Sequence, residues 1–234
     1  MKKLVLSIVL WMIAVCGLQA QETYKVGDIY DKDGVKGIIY KVSEDGQHGM
    51  MMSIYKSTEA WLADAKYNGM AKAYNTSDGK ENMKAVEDAI TANNLTWDAF
   101  PIFKFAKDLG EGWYIPAAKE LFDIMRFFAD NEECVDGLVL MEQFSHVEDL
   151  NKHFSPKKVE GDPLLYKGKT DIKWKYYFYI LRSSTATLAK NANGEHVCYA
   201  MFYYPEINKP YLALIQNNPY EVHKNYGTRA IRAF

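Results

Sequence analysis

The chain has 234 residues, with 28 Lys and Arg against 30 Asp and Glu, five His and three Cys. Apolar residues make up 48% and charged residues 25%, an ordinary globular balance that excludes a disordered or low-complexity chain. A net charge of −2 without a clustered basic stretch gives no footing for a nucleic-acid partner.

The N-terminus reads as a secretory signal peptide over 1–20. Lys2 and Lys3 form its positive end, Leu4 to Val15 its apolar stretch, and Leu18-Gln19-Ala20 its cleavage site. Cys16 offers the alternative of a lipoprotein signal, although Val15 stands where such signals carry a small residue. The apolar stretch falls short of the ~20 residues of a membrane span, and no later segment is apolar enough. The mature chain is then 21–234, exported to the periplasm, the cell surface or the medium. Without Lys2 and Lys3 it carries 26 basic residues against 30 acidic, a net of −4. Cys134 and Cys198 remain, and an oxidising compartment permits them to pair or to stay as buried thiols.

"YKVGDIYDKDGVKGIIYKVSEDGQHGMMMSIY" reads as strands separated by Asp33-Gly34 and Asp45-Gly46 turns. His48 sits beside the second turn as a turn residue. Residues 56–80 read as a loop with one short helix near Glu59 to Ala65. Met83, Val86 and Ile90 recur at helical spacing in "ENMKAVEDAITANN". A second helix starts at Trp97 with Thr96 as its cap, buries Phe100, Phe103, Ala106 and Leu109, and stops at Gly110. In "GEGWYIPAAKELFDIMRFF" the glycines turn the chain and Trp113-Tyr114-Ile115 runs extended. Pro116 opens a third helix that buries Leu121, Ile124, Met125 and Phe128.

A further helix is predicted from about Gly137 to Phe154, within a segment, 130–172, that reads as an elaboration. Beyond Lys173, "WKYYFYILRSSTATL", "HVCYAMFYY", "PYLALIQN" and "GTRAIRAF" are strand candidates, with a hairpin at "ANANGEH". A single domain over 21–234 is the simplest organisation.

Three segments, in this order, resemble a known group. They are "YKVGDIYDKDGVKGIIYKVSEDGQHGMMMS", "FPIFKFAKDLGEGWYIPAAKEL", and "LRSSTAT", "CYAMFYY" and "YGTRAIRAF" near the end. The group is the exported C-type-lectin-like domains of bacterial surface proteins, the Lcl C-terminal and FISUMP-like family. Arg182 and Ala117 depart from its pattern, which carries Trp and Ser or Thr there. The resemblance implies an α+β, C-type-lectin-like fold. Its twisted antiparallel sheet is flanked by helices, and its N- and C-terminal strands pair.

Chemistry is sparse. The chain has no Gly-x-Ser-x-Gly elbow and no His-Glu-x-x-His helix. His146 and His153 are seven apart and read as a partly exposed helical pair rather than zinc ligands. The fold is similar to that of formylglycine-generating enzymes, which use a cysteine pair, but nothing marks Cys134 or Cys198 as a low-pKa thiolate. The residue triplets of lectin calcium sites are absent. The expectation is no catalytic residue, no metal and no cofactor.

The candidate ligand-binding residues are Tyr204, Glu206, Asn208, Tyr211, Asn217, Asn218, Tyr220 and His223, with Tyr203 beside them. Aromatic faces with amides and carboxylates suit a sugar or a peptide. The expected function is non-enzymatic recognition of a glycan or protein at the cell envelope. The alternatives are a structural subunit of a pilus or envelope complex, and an oxidase of the formylglycine-generating type.

Overall fold

A computed structural model of the chain describes residues 22–126, 132–135, 138–141, 180–190, 192–204, 211–217, 219–220 and 226–234. Residues 1–20, the predicted signal peptide, and most of 130–172 lie outside them. Strands β1 (Ile29–Lys32) and β2 (Val35–Val42) are joined by Asp33 and Gly34 at φ 53° and 77°. Two left-handed residues in a row make the tight turn that matches strand twist. β2 pairs with β3 (Gly49–Ser53), with a bulge between Ile39 and Lys41. The C-terminal strand β10 (Ile231–Ala233) then adds to β3 and not to β1, giving the order β1-β2-β3-β10; the expected pairing of the first and last strands is corrected, since they stand at opposite edges of this sheet. Phe234 closes this sheet, its ring 5.2 Å from those of both Tyr24 and Tyr30.

Three helices follow the first three strands. Helix α1 (Gly79–Ala92) is capped by Asp78, whose carboxylate accepts from the main-chain N–H of Lys80 (2.8 Å) and Glu81 (3.2 Å). It buries Asn82, Val86 and Ala89, a face slightly rotated from the predicted one, so that Met83 and Ile90 are only half-buried. The predicted second helix is split into a 3-10 turn at Trp97–Ala99 and helix α2 (Pro101–Asp108). Pro101 has no N–H to continue the turn, but suits a first helical position. Thr96 makes no capping bond; its hydroxyl donates to the Asp98 carboxylate at 3.2 Å. Helix α3 (Ala118–Arg126) follows Pro116 as predicted.

The short helix predicted near Glu59 to Ala65 is not formed; a 3-10 turn at Ala65–Tyr67 stands at its end. Ala60, Trp61 and Leu62 are instead buried, and the N–H groups of Leu62 and Ala63 donate to the distant carbonyls of Pro219 and Ala99. Those partners, with burial of Trp61, replace the local bonds a helix would make.

The second sheet contains β4 (Glu132–Val135), β5 (Leu138–Met141), β6 (Ile180–Lys190), β7 (His196–Tyr204), β8 (Tyr211–Asn217) and β9 (Tyr226–Gly227). Its order is β4-β5-β8-β7-β6-β9, antiparallel except for the β6–β9 pair. Two expectations are corrected here. The strands form two sheets rather than one, and Leu138–Met141 is a strand where a helix was predicted from Gly137 to Phe154. A short unbroken apolar run fits either element, and here its pairing with β8 decides. The remainder of that predicted helix lies outside the described residues.

The architecture is thus mixed α+β with antiparallel sheets. Ile39 and Met51 of the first sheet join Trp61, Phe100, Phe103, Trp113, Ile115 and Cys198 in one core. Helices α1 and α3 pack against β6. Two isolated bridges, Ser57 to Thr228 and Tyr114 to Ile231, tie the loops to the C-terminal segment.

Candidate functional site

The polar run of β6, Arg182 to Thr185 with Thr187, is consumed inside the fold. Arg182, Ser183, Ser184, Thr185 and Thr187 of β6 are each 0–1% exposed. Asn82, on α1, donates to Ser184 Oγ (2.9 Å), Thr185 Oγ1 (3.4 Å) and the Asn75 carbonyl (2.7 Å). Thr185 Oγ1 donates to the same carbonyl (2.7 Å) and accepts from Ala118 N–H (3.0 Å) at the start of α3. Ser184 N–H reaches the Pro116 carbonyl, and the Trp61 indole N–H reaches that of Ser183 (3.1 Å). Arg182 donates to the Glu59 carbonyl at 2.8 Å. Buried groups satisfied in this way specify a unique packing rather than a reaction centre.

Glu120 is a second such node. Its Oε2 accepts from the N–H groups of Ala117 (2.8 Å) and Gly79 (2.9 Å), and its Oε1 from the Tyr114 hydroxyl (2.9 Å). One carboxylate therefore satisfies the first turns of both α1 and α3, the Ala117 bond being half of a capping box. Burial raises its pKa above the ordinary carboxylate value, outweighing these three bonds. Burial likewise raises the Tyr40 and Tyr114 phenols, helped by the charge of Glu120.

Of the predicted ligand-binding residues, those among the described residues stand at both ends of one hairpin and beyond it. Tyr204 and Tyr211 face each other at one end of the β7–β8 hairpin, whereas Asn217 pairs with Cys198 at the other. The seven residues of β8 put about 20 Å between those ends. Tyr220 is half-buried and packs against the core. Only the backbone of Tyr203, Tyr204, Tyr211 and Asn217 is described. Glu206, Asn208, Asn218 and His223 lie outside the described residues.

Cys198 is a buried thiol, and burial pushes its pKa up to about 12 despite the nearby Arg182 guanidinium. The side chain of Cys134 is not among those described, but β4 and β7 are separated by β5 and β8. Three strand spacings amount to about 14 Å, beyond the reach of a disulfide. The pairing of Cys134 with Cys198 is therefore corrected. His196 is also structural: its Nδ1–H donates to the Thr187 carbonyl (2.8 Å), while Asn68 bonds its main chain on both sides (2.8 and 2.9 Å). His48 lies in its predicted turn, its carbonyl held by the N–H (2.8 Å) and hydroxyl (2.7 Å) of Ser43.

The surface offers a different site, around the C-terminal end of α2. Three hollows meet there. One of about 580 Å³ runs between the loop at Lys56–Glu59 and the flank of α2 at Asp98, Lys104, Phe105, Asp108 and Leu109. A second, of about 190 Å³, is lined by Leu109, Trp113, Val35, Ile54 and Tyr55. A third, of about 490 Å³, is bounded by Trp113, Trp97, Lys107, Glu111 and the Lys80–Glu87 face of α1. Leu109 belongs to the first and second, Trp113 to the second and third, so the three adjoin in series and together are termed the horseshoe. Tyr55 is 44% exposed at its centre, and Trp97 is half-buried with the Lys107 ammonium 5.6 Å from its ring. Read in sequence, Tyr55 ends a strand, Trp97 begins a helix and Trp113 belongs to the core; no local pattern joins them.

No helix among the described residues is long and apolar enough to cross a membrane. No family model matches the chain, and no curated protein or solved structure does.

Proposed function

We propose that this is an exported, non-enzymatic recognition domain of C-type-lectin-like fold, which presents the horseshoe around α2 to a glycan or protein of the cell envelope. The observation that carries the reading is the horseshoe itself. It is a series of three adjoining hollows with the exposed Tyr55 at the middle one and charged side chains lining the outer two, set on a frame fixed by buried hydrogen bonds. Rigid aromatic area with directional polar groups suits recognition. The motif order supports the fold assignment. The buried thiol of Cys198, with its raised pKa, weighs against a thiol-dependent oxidase.

The test is capture of envelope glycans and proteins by the mature chain, on a glycan array with calcium and with chelator, and by cross-linking in the native envelope. Tyr55→Ala should abolish capture while leaving the thermal transition in place; Trp97→Ala should abolish it too, at a cost in stability, because Trp97 also packs against the core. Capture unchanged in both variants, or turnover of a substrate, would refute the proposal.

A further inference from the structure

We infer that the occupant of the horseshoe is an extended peptide segment with a basic group at one end, apolar side chains in the middle and an acidic group at the other. This rests on the recognition reading above and chooses between its two kinds of target.

The distribution of charge selects this occupant. The first hollow sets three carboxylates, Glu59, Asp98 and Asp108, against two ammonium groups, Lys56 and Lys104. Lys104 and Asp108 neutralise each other at 2.8 Å. Glu59 and Asp98 are both exposed, and among the described residues neither side chain is in an ion pair. The third hollow reverses the balance, with Lys80, Lys84 and Lys107 against Glu87 and Glu111. Between them the second hollow brings Tyr55, Trp113 and Leu109 together, and its one charged group, Lys36, is paired with Asp31 at 3.0 Å.

The surface is therefore acidic at one end, apolar in the middle and basic at the other. A uniformly anionic chain, such as an acidic polysaccharide, gains at the basic end and is repelled at the acidic one. A neutral glycan uses neither end. A polypeptide supplies opposite charges and apolar groups at residue spacing along one strand, which is what the pattern complements. Charges at such exposed positions select the partner and speed its approach more than they add affinity.

The experiment uses the mature chain and three fluorescein-labelled decapeptides with the same apolar centre. They end in Lys and Glu, in Lys and Lys, or in Glu and Glu. Binding is followed by anisotropy at low and high salt. The mixed-end peptide should bind about fivefold or more tighter than either like-ended peptide at low salt. The preference should shrink toward unity at 1 M salt, where the screening length falls to about 3 Å.

In Glu59→Lys/Asp98→Lys both ends of the horseshoe are basic, and the preference should switch to the Glu-ended peptide. Both side chains are solvent-exposed, so the thermal transition should stay in place and certify the fold. The inference is overturned if the preference does not follow the swap, or if no peptide binds at millimolar concentration. A glycan bound through Trp97 in the absence of peptide binding would overturn it while leaving the recognition reading intact. Loss of both would remove the recognition reading itself.

Discussion

Glu120→Ala is the sharpest test of how the frame is held. The substitution strips the acceptor from two main-chain N–H groups, those of Gly79 and Ala117, and from the Tyr114 hydroxyl. A buried donor left unmet costs about 1–3 kcal/mol. Because the site is only partly buried, water relieves some of this, and about 1 kcal/mol for each donor gives a loss of about 3 kcal/mol. For a domain of this size that lowers the melting temperature by roughly 6–12 °C. Glu120→Gln should stay within about 1 kcal/mol of wild type, since the amide oxygen can accept both N–H groups and its NH2 can donate to the Tyr114 oxygen.

The pH dependence separates the two variants further. The Glu120 carboxyl has a raised pKa in the folded chain, so the native state holds its proton more tightly than the unfolded chain does. The stability from this group is therefore fully present below the ordinary value of 4.5 and is lost as pH rises through the raised folded value. Wild type should gain relative to Glu120→Gln as pH falls through that window. The assay is thermal unfolding followed by tryptophan fluorescence between pH 4 and 8. A loss under about 1 kcal/mol for the alanine variant, or equal damage from glutamine and alanine, would refute the assignment of Glu120 as a shared cap.

Four further outcomes follow from the same frame. Asn82→Leu removes the donor to Ser184, Thr185 and the Asn75 carbonyl, and should cost about 3 kcal/mol in the same melt; a change below about 1 kcal/mol would contradict the buried seam. Asp78→Ala should cost about 1 kcal/mol, whereas Thr96→Ala, which loses no capping bond, should be nearly silent. The Cys198 thiol should resist an aromatic disulfide reagent in the native chain and react on unfolding; fast native reaction at that residue would refute its burial. Phe234→Ala removes two ring contacts at 5.2 Å and should cost about 2 kcal/mol, seen as a lowered urea midpoint.

Local signals were legible where local physics settles the structure. Strand β7 coincides with the run "HVCYAMFYY", and the Asp33-Gly34 turn has the backbone its residues favour. Asp78 and the apolar spacing mark α1, although the deepest face turns on Asn82, a polar residue that periodicity alone leaves unmarked. Glu59 to Ala65 looked helical because its composition permits a helix; the carbonyls of Ala99 and Pro219, far along the chain, take its N–H groups instead.

The candidate ligand residues are neighbours in sequence. An antiparallel hairpin carries such neighbours to opposite ends, as it does with Tyr204 and Asn217. The horseshoe is the converse, since Tyr55, Trp97 and Trp113 come from three separate elements and meet only after folding.

The placement of β10 beside β3 also sets an order of assembly. Ala230 N–H bonds Ser53 Oγ across a separation of 177 positions, so the first three strands wait for a fourth from the far end of the chain. Until it arrives, β3 has an open edge and Met51, Met52 and Ile54 lack part of their cover, which is the condition that favours mispairing with other chains. Contacts this distant make closure slow. A polypeptide that cannot finish its first sheet early remains threadable for longer, and one destined for export would gain from that delay.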